Sequence, residues 1–82
     1  SCMNESNIPA AVSEIVAGVL TMPSAQVPPQ AHFYDDLGGD SLQKLEVIAH
    51  IEARFGCRLT DEQAASSDTV EDLSRQVAQH VS

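Results

Sequence analysis

The residues able to do chemistry in this 82-residue chain gather around one serine. Ser41 follows Gly38-Gly39-Asp40 and precedes Leu42, which sets a hydroxyl at the start of a helix. Such a hydroxyl has three uses. It can cap the helix by accepting a backbone N–H. It can attack a carbonyl when a histidine and an acid activate it. It can also be esterified, and the positive end of a helix dipole suits a phosphate there. The second use lacks support, because His32, His50 and His80 fall in a loop, in mid-helix and at the tail, where they read as solvated residues. Cys57 reads as a small, half-buried hydrophobe rather than a nucleophile. Asp35, Asp36 and Asp40 would collect a cation at most transiently, so neither a resident metal nor a catalytic residue is expected.

The elements that position Ser41 are helical. Val12, Ile15, Val16, Val19 and Leu20 share one face of a first helix from Ile8 to Leu20, with Asn7 as its cap and Pro9 in its first turn. Thr21-Met22-Pro23-Ser24 ends it and Pro28-Pro29 delays the next, leaving a long loop from Thr21 to Gly39. Within the loop, His32-Phe33-Tyr34 and Leu37 supply apolar groups that pin it to the core. Gly38-Gly39 permits unusual backbone angles, and Asp40 or Ser41 caps a second helix that runs from Ser41 to Phe55 and stops at Gly56. Thr60-Asp61-Glu62 opens a short third helix that fades at Ser66-Ser67. Asp68-Thr69-Val70-Glu71 reads as a capping box, with Asp68 as the cap, for a last helix striped by Val70, Leu73, Val77 and Val81. No segment alternates with a period of two. The expected fold is therefore all-α: a four-helix bundle of three longer helices and one short third helix, with a long loop between helices one and two. Residues 1–6 read as a flexible N-terminal segment and residues 7–82 as one domain.

Charge narrows the partners. Twelve Asp and Glu against four Lys and Arg give a net charge of -8, which repels nucleic acid and anionic lipid and favours protein partners with basic patches. No run is long and apolar enough for a membrane span, and the N-terminus lacks the pattern of a signal peptide. Two cysteines, Cys2 and Cys57, are too few for a disulfide framework, which points to a reducing, cytoplasmic setting. A monomer is expected.

The second helix has more apolar residues than one core face needs. At about 100° per residue, Val47, Ile48, Ile51 and Phe55 form the core face. Leu42, Leu45 and Ala49 cluster roughly 140° away, flanked by Glu46. Such a stripe either docks partner proteins, with apolar contact giving affinity and acids giving register, or lies under the Thr21–Gly39 loop. Lys44 points toward the core face. It is expected to lay its stem on the core edge and lift its ammonium into water, or to approach an anionic group attached to Ser41.

Asp35-Asp36-Leu37-Gly38-Gly39-Asp40-Ser41-Leu42 resembles the modification site of the acyl and peptidyl carrier proteins. The resemblance continues through Glu46 to Phe55-Gly56, Leu59-Thr60-Asp61-Glu62 and Thr69-Val70-Glu71-Asp72-Leu73, so it covers Ile8 to Val81. It implies a non-enzymatic carrier whose Ser41 hydroxyl is esterified by 4′-phosphopantetheine from coenzyme A through a phosphopantetheinyl transferase. The arm's thiol then holds an acyl or aminoacyl group as a thioester. Loading ligases or transferases and downstream biosynthetic enzymes of fatty-acid, polyketide or nonribosomal peptide type would be its partners. By the same resemblance Asp40, Leu42, Leu45, Glu46 and Ala49 match positions that meet partner enzymes, which favours docking for the second stripe. The interior beside Val47, Ile51 and Leu59 matches the region that shelters a fatty chain in some members. Gly38-Gly39 is closer to peptidyl and polyketide-type carriers, whereas Asp35-Asp36-Leu37 looks like an acyl carrier, so a peptidyl carrier is the alternative. Gly39-Asp40-Ser41-Leu42 also spells the nucleophile block of a serine esterase family, but those enzymes set the serine after a strand in a far larger α/β domain. A helical adaptor with Ser41 as a mere cap is the remaining reading.

Overall fold

The computed structural model describes residues 8–81; the expected cap Asn7 and the segment 1–6 lie outside them. Four α-helices follow in order: α1 (Ile8–Leu20), α2 (Ser41–Phe55), α3 (Asp61–Ala65) and α4 (Val70–Val81). The boundaries of α1 and α2 fall where apolar periodicity and the flanking Pro and Gly residues set them. α1 ends in two bonds, Met22 N–H to the Ala17 carbonyl at 2.9 Å and Thr21 N–H to the Gly18 carbonyl at 3.4 Å. This closure puts Thr21 at φ 54, a left-handed conformation that costs a β-branched residue some strain. α2 ends on Gly56 at φ 66, where a glycine takes that conformation freely.

α1 packs on both α2 and α4, and α2 on α4. Val12, Val16, Val47, Ile51, Leu73 and Val77 are fully buried at their centre. The α4 stripe is buried at Val70, Leu73 and Val77, as its spacing requires; the Val81 side chain is outside those described. The short α3 buries none of its own residues. It survives because Thr60 and Gln63 cap each other reciprocally, Gln63 N–H donating to Thr60 Oγ1 at 3.0 Å and Thr60 N–H to Gln63 Oε1 at 2.9 Å.

The long loop is tied down at several points and contains a 3₁₀ turn at Ser24–Gln26. Ser13 Oγ donates to the Val27 carbonyl at 3.1 Å. An isolated antiparallel bridge joins His32 to Thr69, with Phe33 N–H donating to the Asp68 carbonyl at 2.8 Å. That bridge corrects the expected start of α4. Asp68 is held by the loop, so the capping box moves one residue on: Asp72 N–H donates to Thr69 Oγ1 at 3.1 Å, and Thr69 N–H to Asp72 Oδ2 at 3.3 Å.

Burial pushes the pKa of Asp72 up, but bonds from the Arg75 guanidinium, the Thr69 and Asp68 N–H groups and the Thr69 hydroxyl outweigh it and hold the carboxyl below its ordinary value. A carboxyl depressed in the folded state adds stability above its unfolded pKa of about 3.9 and loses it as pH falls through the folded value. Asp72→Asn should therefore flatten the acid limb of a plot of unfolding midpoint against pH below about pH 4. An unchanged limb would remove Asp72 from the acid response.

Candidate functional site

Ser41 stands at the first position of α2, and Asp40, not Ser41, is the cap. Gln43 N–H donates to Asp40 Oδ1 at 2.8 Å while Asp40 N–H donates to Gln43 Oε1 at 3.1 Å. This closed box leaves the exposed Ser41 hydroxyl without a hydrogen-bond partner among the described residues. The reading of Ser41 as a mere cap fails on this geometry. The third-position Gln43 that completes the box is a sequence signal of the kind sought at α4.

The approach to Ser41 depends on two glycines with different tasks. Gly38 takes φ 72, which only glycine adopts cheaply. Gly39 lies against the buried Phe33 ring: a Cβ there would stand 2.6 Å from Cζ and 2.8 Å from Cδ2, and closer still to Cε2. Gly39 N–H donates to the Phe33 carbonyl at 3.0 Å, so ring and backbone together fix the entry into α2.

Both faces of α2 are resolved. Val47, Ile48, Ile51 and Phe55 are buried, while Leu42 and Leu45 are 68% and 66% exposed and Ala49 is exposed with them. Asp40 and Glu46 flank them, also exposed. The loop from Thr21 to Gly39 therefore does not cover the second stripe; its Phe33 and Leu37 turn to the core instead.

Lys44 departs from the expectation of a solvated ammonium. Its residue is only 6% exposed, and its Nζ donates to the Ser67 carbonyl at 2.8 Å, 5.7 Å from the Phe33 ring centre and 5.2 Å from that of Tyr34. The ammonium is held inside the fold rather than lifted into water. Burial pulls its pKa below the lysine range, and the Asp68 carboxylate opposes that. Helical angle placed the stem correctly; the bonding of the tip depends on Ser67 and Tyr34, which are distant in sequence.

A cleft of about 330 Å³ opens beside Ser41 between α2 and α3. Tyr34, Lys44, Leu45 and Ile48 line one side and Asp61, Ala64 and Ala65 the other. Val47, Ile51 and Leu59, the residues anticipated around a sheltered chain, lie instead in the closed core.

The histidines stay apart from the Ser41 hydroxyl in bonding. His32 Nδ1 accepts the Asp35 N–H at 3.3 Å, His50 is exposed on α2, and His80 Nε2 lies 3.4 Å from Gln63 Oε1. Cys57 is half-buried against the core, as expected, and burial with the nearby Glu52 charge pushes its thiol up. Among the described residues no helix is long and apolar enough to cross a membrane.

Comparison with known proteins agrees with this geometry. The sequence model of the phosphopantetheine attachment site matches residues 10–77. An acyl carrier protein of Thermosynechococcus vestitus is 41% identical over 71 residues, covering 87% of this chain and 88% of its own. The solved acyl carrier protein of Enterococcus faecalis superposes with a TM-score of 0.78 at 26% identity, over 95% of this chain and 99% of that one. These matches define the chain as a phosphopantetheine-binding carrier protein. More particularly, the chain belongs to the acyl carrier protein family, whose members depend on a phosphopantetheinyl transferase and on biosynthetic partner enzymes.

Proposed function

We infer that Ser41 is the residue that bears the phosphopantetheine arm, and that Asp40, Leu42, Leu45, Glu46 and Ala49 form the face that partner enzymes with basic patches read. The observation that carries this is the exposed, unpartnered Ser41 hydroxyl beside an exposed apolar stripe on the same helix. When bound, the arm supplies a thiol on which an acyl group rides as a thioester.

The chain's own residues do the rest. Asp40 and Gln43 close the first turn without using the serine, so its oxygen is free to be presented to the transferase. The positive end of the α2 dipole favours the phosphate that would sit there. Leu42 and Leu45 offer apolar contact, and Asp40 and Glu46 add attraction that speeds encounter and fixes register. Two cysteines, too few for a disulfide framework, suit a reducing, cytoplasmic setting, and a monomer leaves the α2 face open to partners.

Incubation with coenzyme A, Mg²⁺ and a promiscuous phosphopantetheinyl transferase should add one arm, seen by intact mass and mapped to the peptide containing Ser41. No adduct, or one on another peptide, would refute the assignment. The docking face has its own test. Leu45→Glu should keep the unfolding midpoint, since exposed substitutions stay within about 0.5 kcal/mol, yet lower kcat/KM for modification about tenfold. A variant that unfolds, or is modified at the wild-type rate, would remove Leu45 from that face.

A further inference from the structure

α1 and α2 flank a groove of about 300 Å³, lined by Glu14, Ile15, Gly18 and Val19 from α1 and by Glu46 and His50 from α2. Residues four apart share a helix edge, so Glu14 and Gly18 form one bank and Glu46 and His50 the other. The half-buried Ile15 and Val19 make an apolar floor, and all four bank residues are exposed. Gly18 keeps the groove open. A Cβ built there meets nothing within 4 Å, so close packing does not require the glycine. A glycine inside a helix is less stable than an alanine, and no contact within the fold offsets that loss at Gly18. The rim is anionic. Among the described residues Glu46 pairs with no cation, and Glu14 has only Arg54, one turn beyond His50, whose Nη1 lies 3.9 Å from Glu14 Oε1. That separation exceeds a hydrogen bond and both side chains are exposed, so the pair is weak and leaves Glu14 able to take a better-placed donor.

We propose that this groove receives an arginine side chain from a partner protein. The alkyl stem lies over Ile15 and Val19 beside the open Gly18, and the guanidinium reaches the Glu14 and Glu46 carboxylates. Charge selects a cation, and shape selects arginine. A planar fork of N–H donors serves carboxylates on two banks at once and stacks on the His50 ring, which a compact lysine ammonium does less well. An apolar side chain would cover the floor and leave both carboxylates without a donor, and an acidic one would be repelled. The groove shares Glu46 with the face proposed to dock partners and carries that face around α2 onto α1. Its link to partners rests on that reading; its preference for a guanidinium does not.

The test titrates capped Ala-Leu-Arg-Ala, Ala-Leu-Lys-Ala and Ala-Leu-citrulline-Ala peptides into isotope-labelled protein, followed by NMR. The arginine peptide should move the amide signals of Glu14, Gly18, Glu46 and His50 together. It should bind about fivefold tighter than the lysine peptide and about tenfold tighter than the citrulline peptide, which keeps the shape and loses the charge. Gly18→Leu fills the groove without touching a charge. Its Cβ has open space and leucine is the better helix former, so the variant should melt no lower than the wild type yet lose about tenfold in affinity for the arginine peptide. Arg54→Gln removes the competing cation and should raise that affinity about twofold, whereas Arg58→Gln, the same charge change outside the groove lining, should leave it unaltered. No binding of the arginine peptide, equal affinity for lysine, signals that move at Asp61 and Glu62 instead, or full affinity in Gly18→Leu would overturn the proposal. If Gly18→Leu does not fold, Glu14→Gln decides: unchanged affinity for the arginine peptide rejects the site. Failure of the Leu45→Glu test would remove the docking face and leave these titrations readable, so the two readings fall separately.

Discussion

Ser41→Ala is expected to take up no phosphopantetheine while unfolding at the wild-type temperature. The first half follows from the oxygen being the atom that is esterified. The second follows from its bonding: the hydroxyl accepts and donates nothing among the described residues, and the box between Asp40 and Gln43 closes the turn without it. Alanine at the first position of a helix adds no strain, so the change stays within about 0.5 kcal/mol. The contrasting variant is Asp40→Ala, which removes the cap, costs about 1 kcal/mol, and lowers the midpoint by about 4–8 °C. Intact mass and thermal unfolding on the two variants separate presentation of the serine from support of the helix. An adduct that survives in Ser41→Ala would move the attachment point elsewhere. A Ser41→Ala variant that melts early would mean that the hydroxyl supports the fold.

The division between what the sequence predicts and what it conceals follows the range of the interactions. α1, α2 and the core face of α2 are legible because they depend on periodicity and on neighbours within one turn, as Gly56 and the Val47–Phe55 face illustrate, whereas periodicity leaves open whether the loop covers the Leu42, Leu45 and Ala49 face. The start of α4 is misplaced by one residue because an Asp68–Thr69 pair offers two competing caps. The choice between them is made by Phe33, far away in the loop, whose N–H takes the Asp68 carbonyl. Lys44 shows the same limit. Its angle is local, but its partner Ser67 lies 23 residues on, at the end of a helix too short to announce its position. Gly39 is the third case. A glycine before a helix suggests an open approach for a partner, yet the space its missing side chain leaves is filled from within by Phe33.

That contact predicts large stability effects. Phe33 is 1% exposed, and its truncation in Phe33→Ala should cost about 3–5 kcal/mol, much of the ~4–12 kcal/mol available to a domain of this length. Gly39→Ala acts from the other side. Its new methyl would overlap three ring atoms, so either the ring or the chain entering α2 must shift, at about 1–3 kcal/mol. The two losses should not add. In Gly39→Ala with Phe33→Leu, the smaller aliphatic group gives the methyl room, and the pair should lie above the sum of the single variants by about 0.5–3 kcal/mol of coupling. Chemical unfolding of the wild type, Gly39→Ala, Phe33→Leu and the pair measures this directly. Strict additivity would show that the ring does not set the entry into α2. The expected coupling has a functional corollary. Phe33 also lies 5.7 Å from Lys44 Nζ, so displacing the ring by Gly39→Ala should disturb the Lys44 wall of the cleft as well as the turn that presents Ser41. Modification rate should then fall in Gly39→Ala and recover in the double variant, where the methyl has room and the entry into α2 is restored.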